Sequence, residues 1–274
     1  MKKAYYNGKI ISEDEIKINF NDLGFARGYG VFDAMKTVEG HPFLLKAHFK
    51  RLQNSAKLLN IDFTLSLPEF VGIVNELLAL NKNIFSNNDV TIRTTVTGGV
   101  SSNGLKMDGK PTVLITINDL SLVTPDKELY KTGAKIITID FQRIMPEAKT
   151  TNYLTAILHQ KDKEESGATE IVYHHNDLLL EGATSNIFIV KNGEFITPDK
   201  NVLSGTTRNL VIKLLSEAGE VTGKRNVKME ELFEADEVFL TGTFKGVLPI
   251  TKVNDKMIRD GQVGEKTKLA MELI

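Results

Sequence analysis

The stretch "NIFIVKNGEFIT", residues 186 to 197, constrains the fold more than any other, because two apolar runs flank Asn192-Gly193. Both central residues of a type I′ turn need positive φ, which asparagine and glycine tolerate, and that turn matches the twist of paired antiparallel strands. Related turn signals occur at Asn7-Gly8, inside "AYYNGKII", and at Asn176-Asp177. Neighbouring strands therefore pair as hairpins in several places, which a purely parallel, doubly wound sheet does not allow.

Helical spacing lies between these strands. Leu45, Phe49, Leu52, Ala56 and Leu59 share one face over residues 44 to 60, and a second helix is expected over 67 to 80. The strands "DVTIRTTVTG" and "TVLITIND" follow. Periodicity then lapses in "NDLSLVTPDK", which carries a proline. We read 1–117 as a small N-terminal α+β domain, 118–127 as an interdomain linker and 128–274 as a large C-terminal domain. The second half predicts a strand at 135 to 140, a helix from 152 to 166 stopped by Gly167, and two hairpins. Helices over 206 to 218 and 228 to 235 and strands flanking "TGTFKG" complete it. Strands and helices mingle without a βαβ rhythm, so the class is α+β.

Composition excludes several functions. A chain of 274 residues fits two domains at about 150 residues each. With a formal net charge of −1 and scattered basic residues, it has no footprint for a phosphate backbone, so no nucleic-acid partner is expected. Without cysteine there are no disulfides and no thiolate ligands. His174 and His175 are adjacent on a strand and point to opposite faces, which rules out a shared metal. "MKKAYYNGK" lacks an apolar segment behind its lysines and no apolar run reaches membrane-spanning length, so a cytoplasmic enzyme without a membrane partner is expected.

The candidate chemistry begins at "PEAKTTNYLTAIL". Lys149 precedes Thr150, Thr151 and Asn152, residue types that suit a helix N-cap. An ammonium beside a helix N-terminus meets the positive end of the dipole, which favours the neutral, nucleophilic amine. The alternative is one solvated lysine among many. A pyridoxal phosphate enzyme needs, besides such a lysine, an acid for the ring nitrogen and an anion site. Glu181 in "LLLEGATSNIFIV" is a carboxylate in an apolar run, costly unless partnered, or else a surface residue before glycine. "LSGTTRNLVI" sets Thr206 and Thr207 ahead of an amphipathic helix, either an anion cradle or an ordinary start of a helix. Thr241, Gly242 and Thr243 in "FLTGTFKGV" follow a strand and form a second candidate cradle.

The ordered set of Arg51 in "KRLQNSAKLL", Lys149, Glu181, Thr206-Thr207 and Thr243 resembles the fold-type IV, class IV aminotransferases. That family includes branched-chain and D-amino acid aminotransferases and 4-amino-4-deoxychorismate lyase, and the likeness spans nearly the whole chain. The resemblance implies pyridoxal 5′-phosphate as cofactor. Lys149 would hold its aldehyde covalently and shuttle the substrate's α-proton, and Glu181 would keep its ring nitrogen protonated. Arg51, Thr206, Thr207 and Thr243 would hold the phosphate. It also implies a C-terminal pseudo-barrel domain and a homodimer acting on an amino acid and a 2-oxo acid.

Subgroup features are mixed. The short spacing of "KTTNY" is similar to the D-amino acid aminotransferases and the lyase, whereas Tyr153 is similar to a cofactor-side tyrosine of branched-chain enzymes. The Arg-x-His carboxylate clamp of typical D-amino acid enzymes is missing from "TGGVSSNG". A carboxylate still calls for a guanidinium. Arg27 in "RGYGVFD" resembles the carboxylate-binding arginine of an unusual D-amino acid group, and Arg93 in "TIRTT" resembles the arginine of the branched-chain pattern. Phe32 is expected to wall the pocket, and Lys245 to add a cation or to face solvent. D-amino acids are the preferred substrates on this reading, with branched-chain L-amino acids second and the lyase third.

Overall fold

Residues 1–85 and 89–274 are described in a computed structural model. Their contacts group into two units, Met1–Val123 with Ala148–Asn152, and Thr124–Glu147 with Tyr153–Ile274. Lys149, in the second half of the sequence, thus packs with the first unit.

In the first unit, β1 (Lys3–Tyr6) and β2 (Lys9–Ser12) form the hairpin expected at Asn7-Gly8, where both residues have positive φ. After α1 (Leu23–Arg27) come β3 (Gly30–Val38), β4 (His41–Pro42), α2 (Leu45–Leu58), α3 (Leu67–Asn81), β5 (Val90–Thr97) and β6 (Thr112–Asp119). The sheet runs β2-β1-β6-β5-β3-β4, antiparallel throughout. Helix α3 starts at a Ser66/Glu69 capping box with Pro68 in its first turn, an arrangement that satisfies amide groups a helix leaves open. Phe49 of α2 and Phe70, Val74 and Leu77 of α3 pack on Ile92, Ile115 and Ile117 of the sheet.

The second unit contains α4 (Leu129–Thr132), β7 (Ala134–Asp140), α5 (Leu154–Leu158), α6 (Gln160–Glu165), β8 (Glu170–His175), β9 (Leu178–Gly182), β10 (Asn186–Lys191) and β11 (Glu194–Thr197). It continues with α7 (Thr206–Glu217), β12 (Thr222–Lys224), β13 (Val227–Lys228), α8 (Met229–Phe233), β14 (Glu237–Gly242), β15 (Gly246–Val253), β16 (Lys256–Met257) and α9 (Glu265–Glu272). Its sheet order is β12-β11-β10-β14-β15-β7-β8-β9-β13. Strands β9 and β10 are consecutive in the chain, yet β14, β15, β7 and β8 lie between them in the sheet. In a flat sheet they would be about 24 Å apart, whereas the steps from Gly182 to Asn186 reach about 14 Å. The sheet must therefore curl, and the curl places the β9–β10 connection opposite the end of β14. This is an α+β chain with a curled second sheet.

The helix expected over 152 to 166 is broken into α5 and α6 at His159. The Gln160 side-chain amide donates to the Ala156 carbonyl at 2.8 Å, the acceptor that its own backbone N–H would take in a continuous helix. Gly167, at φ 69, ends α6 as expected.

Asp22 holds the entry to α1. Its carboxylate is 1% exposed and accepts from Gly24 N–H at 2.8 Å, Thr97 Oγ1 at 2.9 Å and Thr112 Oγ1 at 2.6 Å. Asp22→Ala removes a cap and strands the buried Thr112 hydroxyl and the half-buried Thr97 hydroxyl, and we expect a loss of about 2–4 kcal/mol. The check is urea unfolding, where the midpoint falls with an unchanged m-value.

Candidate active site

Lys149 is set in place by backbone bonding. Its N–H donates to Ser55 Oγ at 3.0 Å, its carbonyl accepts from Phe32 N–H at 2.9 Å, and Thr151 N–H donates to the Gly30 carbonyl at 2.9 Å. Val31 and Thr150 form an antiparallel bridge between these bonds. The expected helix N-terminus is not there: α5 begins only at Leu154, beyond the reach of a dipole that fades within one turn. Lys149 instead sits on an extended segment laid along the start of β3.

That segment brings Lys149 Nζ to 4.6 Å from the centroid of the Phe32 ring, and Arg93 Cζ lies 3.9 Å from the same centroid. Arg93 pairs with Ala34 across β3 and β5, so it shares a sheet face with Phe32 and reaches it diagonally. Phe32 is nearly buried, and Arg93 is exposed. The structure thus brings three of the candidate residues together.

On the opposite face of β3, Asp33 receives Arg51 in a fork: Nε to Oδ2 at 2.7 Å and Nη2 to Oδ1 at 2.9 Å. His48 Nδ1 stands 2.7 Å from Oδ1, one helical turn from Arg51 on α2. Burial alone would raise the Asp33 pKa, but Arg51 and His48 outweigh it and hold the carboxyl below the ordinary range. Asp33 is therefore an anion that orients Arg51. Arg27 lies apart in sequence at the exposed end of α1, where its Nη1 donates to the Ala26 carbonyl at 2.9 Å.

In the second unit, Glu181 is 4% exposed at the end of β9. Arg143 donates to its Oε1 through Nε at 2.8 Å and Nη2 at 2.7 Å, and Leu203 N–H donates to Oε2 at 2.9 Å. A buried carboxylate is costly unless a cation meets it, and Arg143 is that partner. Arg143 escaped the sequence reading. A carboxylate in an apolar run signals that some cation must meet it, but nothing local says which.

Leu203 also ties Glu181 to the start of α7. Asn186 Nδ2 donates to the Leu203 carbonyl at 2.8 Å, and a β-carbon built on Gly205 would lie 2.0 Å from Asn186 Oδ1, so a side chain there would displace the amide that makes this bond. Gly205 occupies the N-cap of α7 without a side-chain cap, and Thr206 and Thr207 follow, both buried. Thr241 pairs with Asn186 across β10 and β14, so their side chains share a face. Its hydroxyl is buried with no hydrogen-bond partner among the described residues. Thr243 lies in the turn after β14, and Tyr153 packs with Ile171, Tyr173 and Ala183.

Lys245 does not face solvent, because its side chain is 13% exposed and pairs with Glu170 at 2.7 Å. Among the described residues there is no group of ligands for a metal and no helix long and apolar enough to cross a membrane.

The donor set in the second unit suits pyridoxal phosphate: a buried, guanidinium-paired carboxylate able to accept from a pyridinium N–H and, one hydrogen bond and two residues away through Leu203, a glycine-led helix start with hydroxyls for an anion. Comparisons with known proteins agree. A protein of Methanocaldococcus jannaschii carried under the provisional name of branched-chain-amino-acid aminotransferase is 35% identical, with 98% of this chain and 94% of that protein covered. D-alanine aminotransferase of Staphylococcus epidermidis is 29% identical, with 98% and 95% covered, and aminodeoxychorismate lyase of Bacillus subtilis is 29% identical, with 98% and 92% covered. A branched-chain amino acid aminotransferase solved with pyridoxamine 5′-phosphate, its source abbreviated T.th., superposes with a TM-score of 0.89 at 25% identity, over 99% of this chain and 92% of that one. Residues 30–253 match the model of the amino-transferase class IV family. The chain belongs to the class IV aminotransferases, enzymes that transfer amino groups with pyridoxal 5′-phosphate.

Proposed function

We propose that this enzyme exchanges an amino group between a D-amino acid and a 2-oxo acid in a ping-pong cycle, with Lys149 as its catalytic residue. The observation that carries the substrate side is the shared Phe32 ring, with the Lys149 amine at 4.6 Å and the Arg93 guanidinium at 3.9 Å. A guanidinium beside Lys149 supports the binding of a substrate carboxylate in either series, next to the amine proposed to handle the α-proton. Arg27 and the short spacing from Lys149 to Asn152 favour the D-series. The 35% identity to the Methanocaldococcus jannaschii protein and the place of Arg93 favour branched-chain L-amino acids as the second reading, and the lyase ranks third.

Bound pyridoxal phosphate supplies an aldehyde for amine exchange and a ring that takes up the electrons left when the α-proton departs. Glu181, paired with Arg143, would accept from the ring nitrogen and favour its protonated form. Thr206, Thr207 and Thr243 would donate to the phosphate, and Arg51, oriented by Asp33, would add a guanidinium to it. Tyr153 contacts the cofactor. Lys149 Nζ would accept the proton from the substrate α-carbon and return it on the cofactor side. Arg27 or Arg93 would clamp the substrate carboxylate, and Phe32 would wall the pocket.

A homodimer in the cytoplasm completes this reading. Large apolar residues stand exposed on each unit, among them Phe20 (74%), Phe25 (74%) and Leu105 (79%) on the first and Leu154, Ile157 and Leu158 (64–66%) on the second.

Lys149→Ala should abolish the visible absorbance of the cofactor-loaded protein together with transamination, and retained turnover would reject Lys149. Arg93→Gln should raise KM for amino acids about 10- to 100-fold, the worth of a charge-assisted hydrogen bond. Half-reactions with D-alanine, D-glutamate, L-leucine and L-glutamate decide the series: faster reaction with L-leucine would replace the D-amino acid reading with the branched-chain one. Light scattering should return twice the 30.5-kDa chain mass, and a monomer at working concentration would remove the dimer.

A further inference from the structure

Next to the turn that carries Thr243 lies a buried ion pair that the chemistry above does not use. Glu170, at the start of β8, is 4% exposed. Its Oε2 accepts from Lys245 Nζ at 2.7 Å, from the Thr184 hydroxyl at 2.5 Å and from the Ser185 hydroxyl at 3.2 Å, and its Oε1 accepts from Ile171 N–H at 3.0 Å. Lys245 Nζ also donates to Thr184 Oγ1. Burial would raise the Glu170 pKa, but the Lys245 ammonium and the donors around it outweigh that effect and hold it below the ordinary range.

This pair joins two turns that carry cofactor ligands. Thr184 and Ser185 lie in the connection that follows Glu181, and Lys245 lies in the connection that contains Thr243. The turns meet closely. A β-carbon on Gly182 would lie 2.2 Å from Ser185 Oγ and 3.2 Å from Glu170 Cγ, and one on Gly242 would lie 3.4 Å from the Thr184 carbonyl. Tyr130 pins the second turn as well, donating to the Lys245 carbonyl at 2.7 Å. A buried ion pair adds little stability over apolar residues of similar volume, whereas its directional bonds fix geometry. Thr184 both donates to Glu170 and accepts from Lys245, so the network admits a single arrangement of the two turns.

We propose that Lys245, through Glu170 and Thr184, is a positioning residue that holds the Thr243 turn in register with the Glu181 turn and so sets the phosphate end of the cofactor site. This rests on the reading of Thr243 as a phosphate donor. The effect of losing Lys245 is then specific to the phosphate group.

Apoenzyme affinity for pyridoxal 5′-phosphate and for pyridoxal, which lacks the phosphate, separates this role from a general structural one. Lys245→Met should weaken pyridoxal phosphate binding about tenfold or more and leave pyridoxal binding unchanged, with Lys245→Arg restoring most of the loss. Should the single variant not fold, Glu170→Gln combined with Lys245→Met leaves no stranded charge and gives the same comparison. Equal weakening for both ligands would reduce Lys245 to a structural role and overturn the proposal. Unchanged binding in Lys245→Met with weakened phosphate-specific binding in Thr243→Ala would overturn the strap alone. Unchanged binding in both variants would overturn the assignment of Thr243 and the strap with it.

Discussion

Two backbone hydrogen bonds, Phe32 N–H to the Lys149 carbonyl and Thr151 N–H to the Gly30 carbonyl, decide where Lys149 stands. They splice residues 148–152 onto the start of β3, so the lysine from the second half of the chain is delivered to a strand of the first unit. The approach has a steric condition. A β-carbon on Gly30 would lie 2.9 Å from the Val96 carbonyl oxygen, so a side chain there would push the start of β3, which holds the spliced segment, away from β5. Backbone bonds suit this task because they fix the main chain and leave the lysine side chain its own rotamers.

The two faces of β3 divide the remaining work. Phe32 on one face receives Lys149 and Arg93, while Asp33 on the other receives Arg51 and His48. Strand alternation produces that division without further design. In the second unit the curl of the sheet has a similar role. It sets the connection after Glu181 beside the end of β14, and the Asn186 and Glu170 networks lock the three connections 182–185, 203–205 and 242–245 to one another.

Much of this is legible in the chain. The hairpins at Asn7-Gly8, Asn176-Asp177 and Asn192-Gly193 each have positive φ at both turn residues, because turn chemistry is a local property. Helices α2, α3 and α7 follow their apolar spacing to within a residue or two. The break at His159 is not legible, because a side-chain amide competing for one carbonyl leaves no trace in hydrophobic periodicity. With the helix start moved to Leu154, Lys149 also loses the dipole expected beside it.

What the sequence determined by itself is the set of chemical groups and their order: an amine, an embedded carboxylate, threonines at turns, and the family these make together. Only the tertiary structure decided their partners. Arg143 meets Glu181 from 38 residues away, Lys245 meets Glu170 from 75, and Arg51 meets Asp33 across a helix and a strand. Burial requires that each of these charges be paired, but which cation reaches which carboxylate depends on how the sheets twist and close, and that is not encoded in any short window of residues.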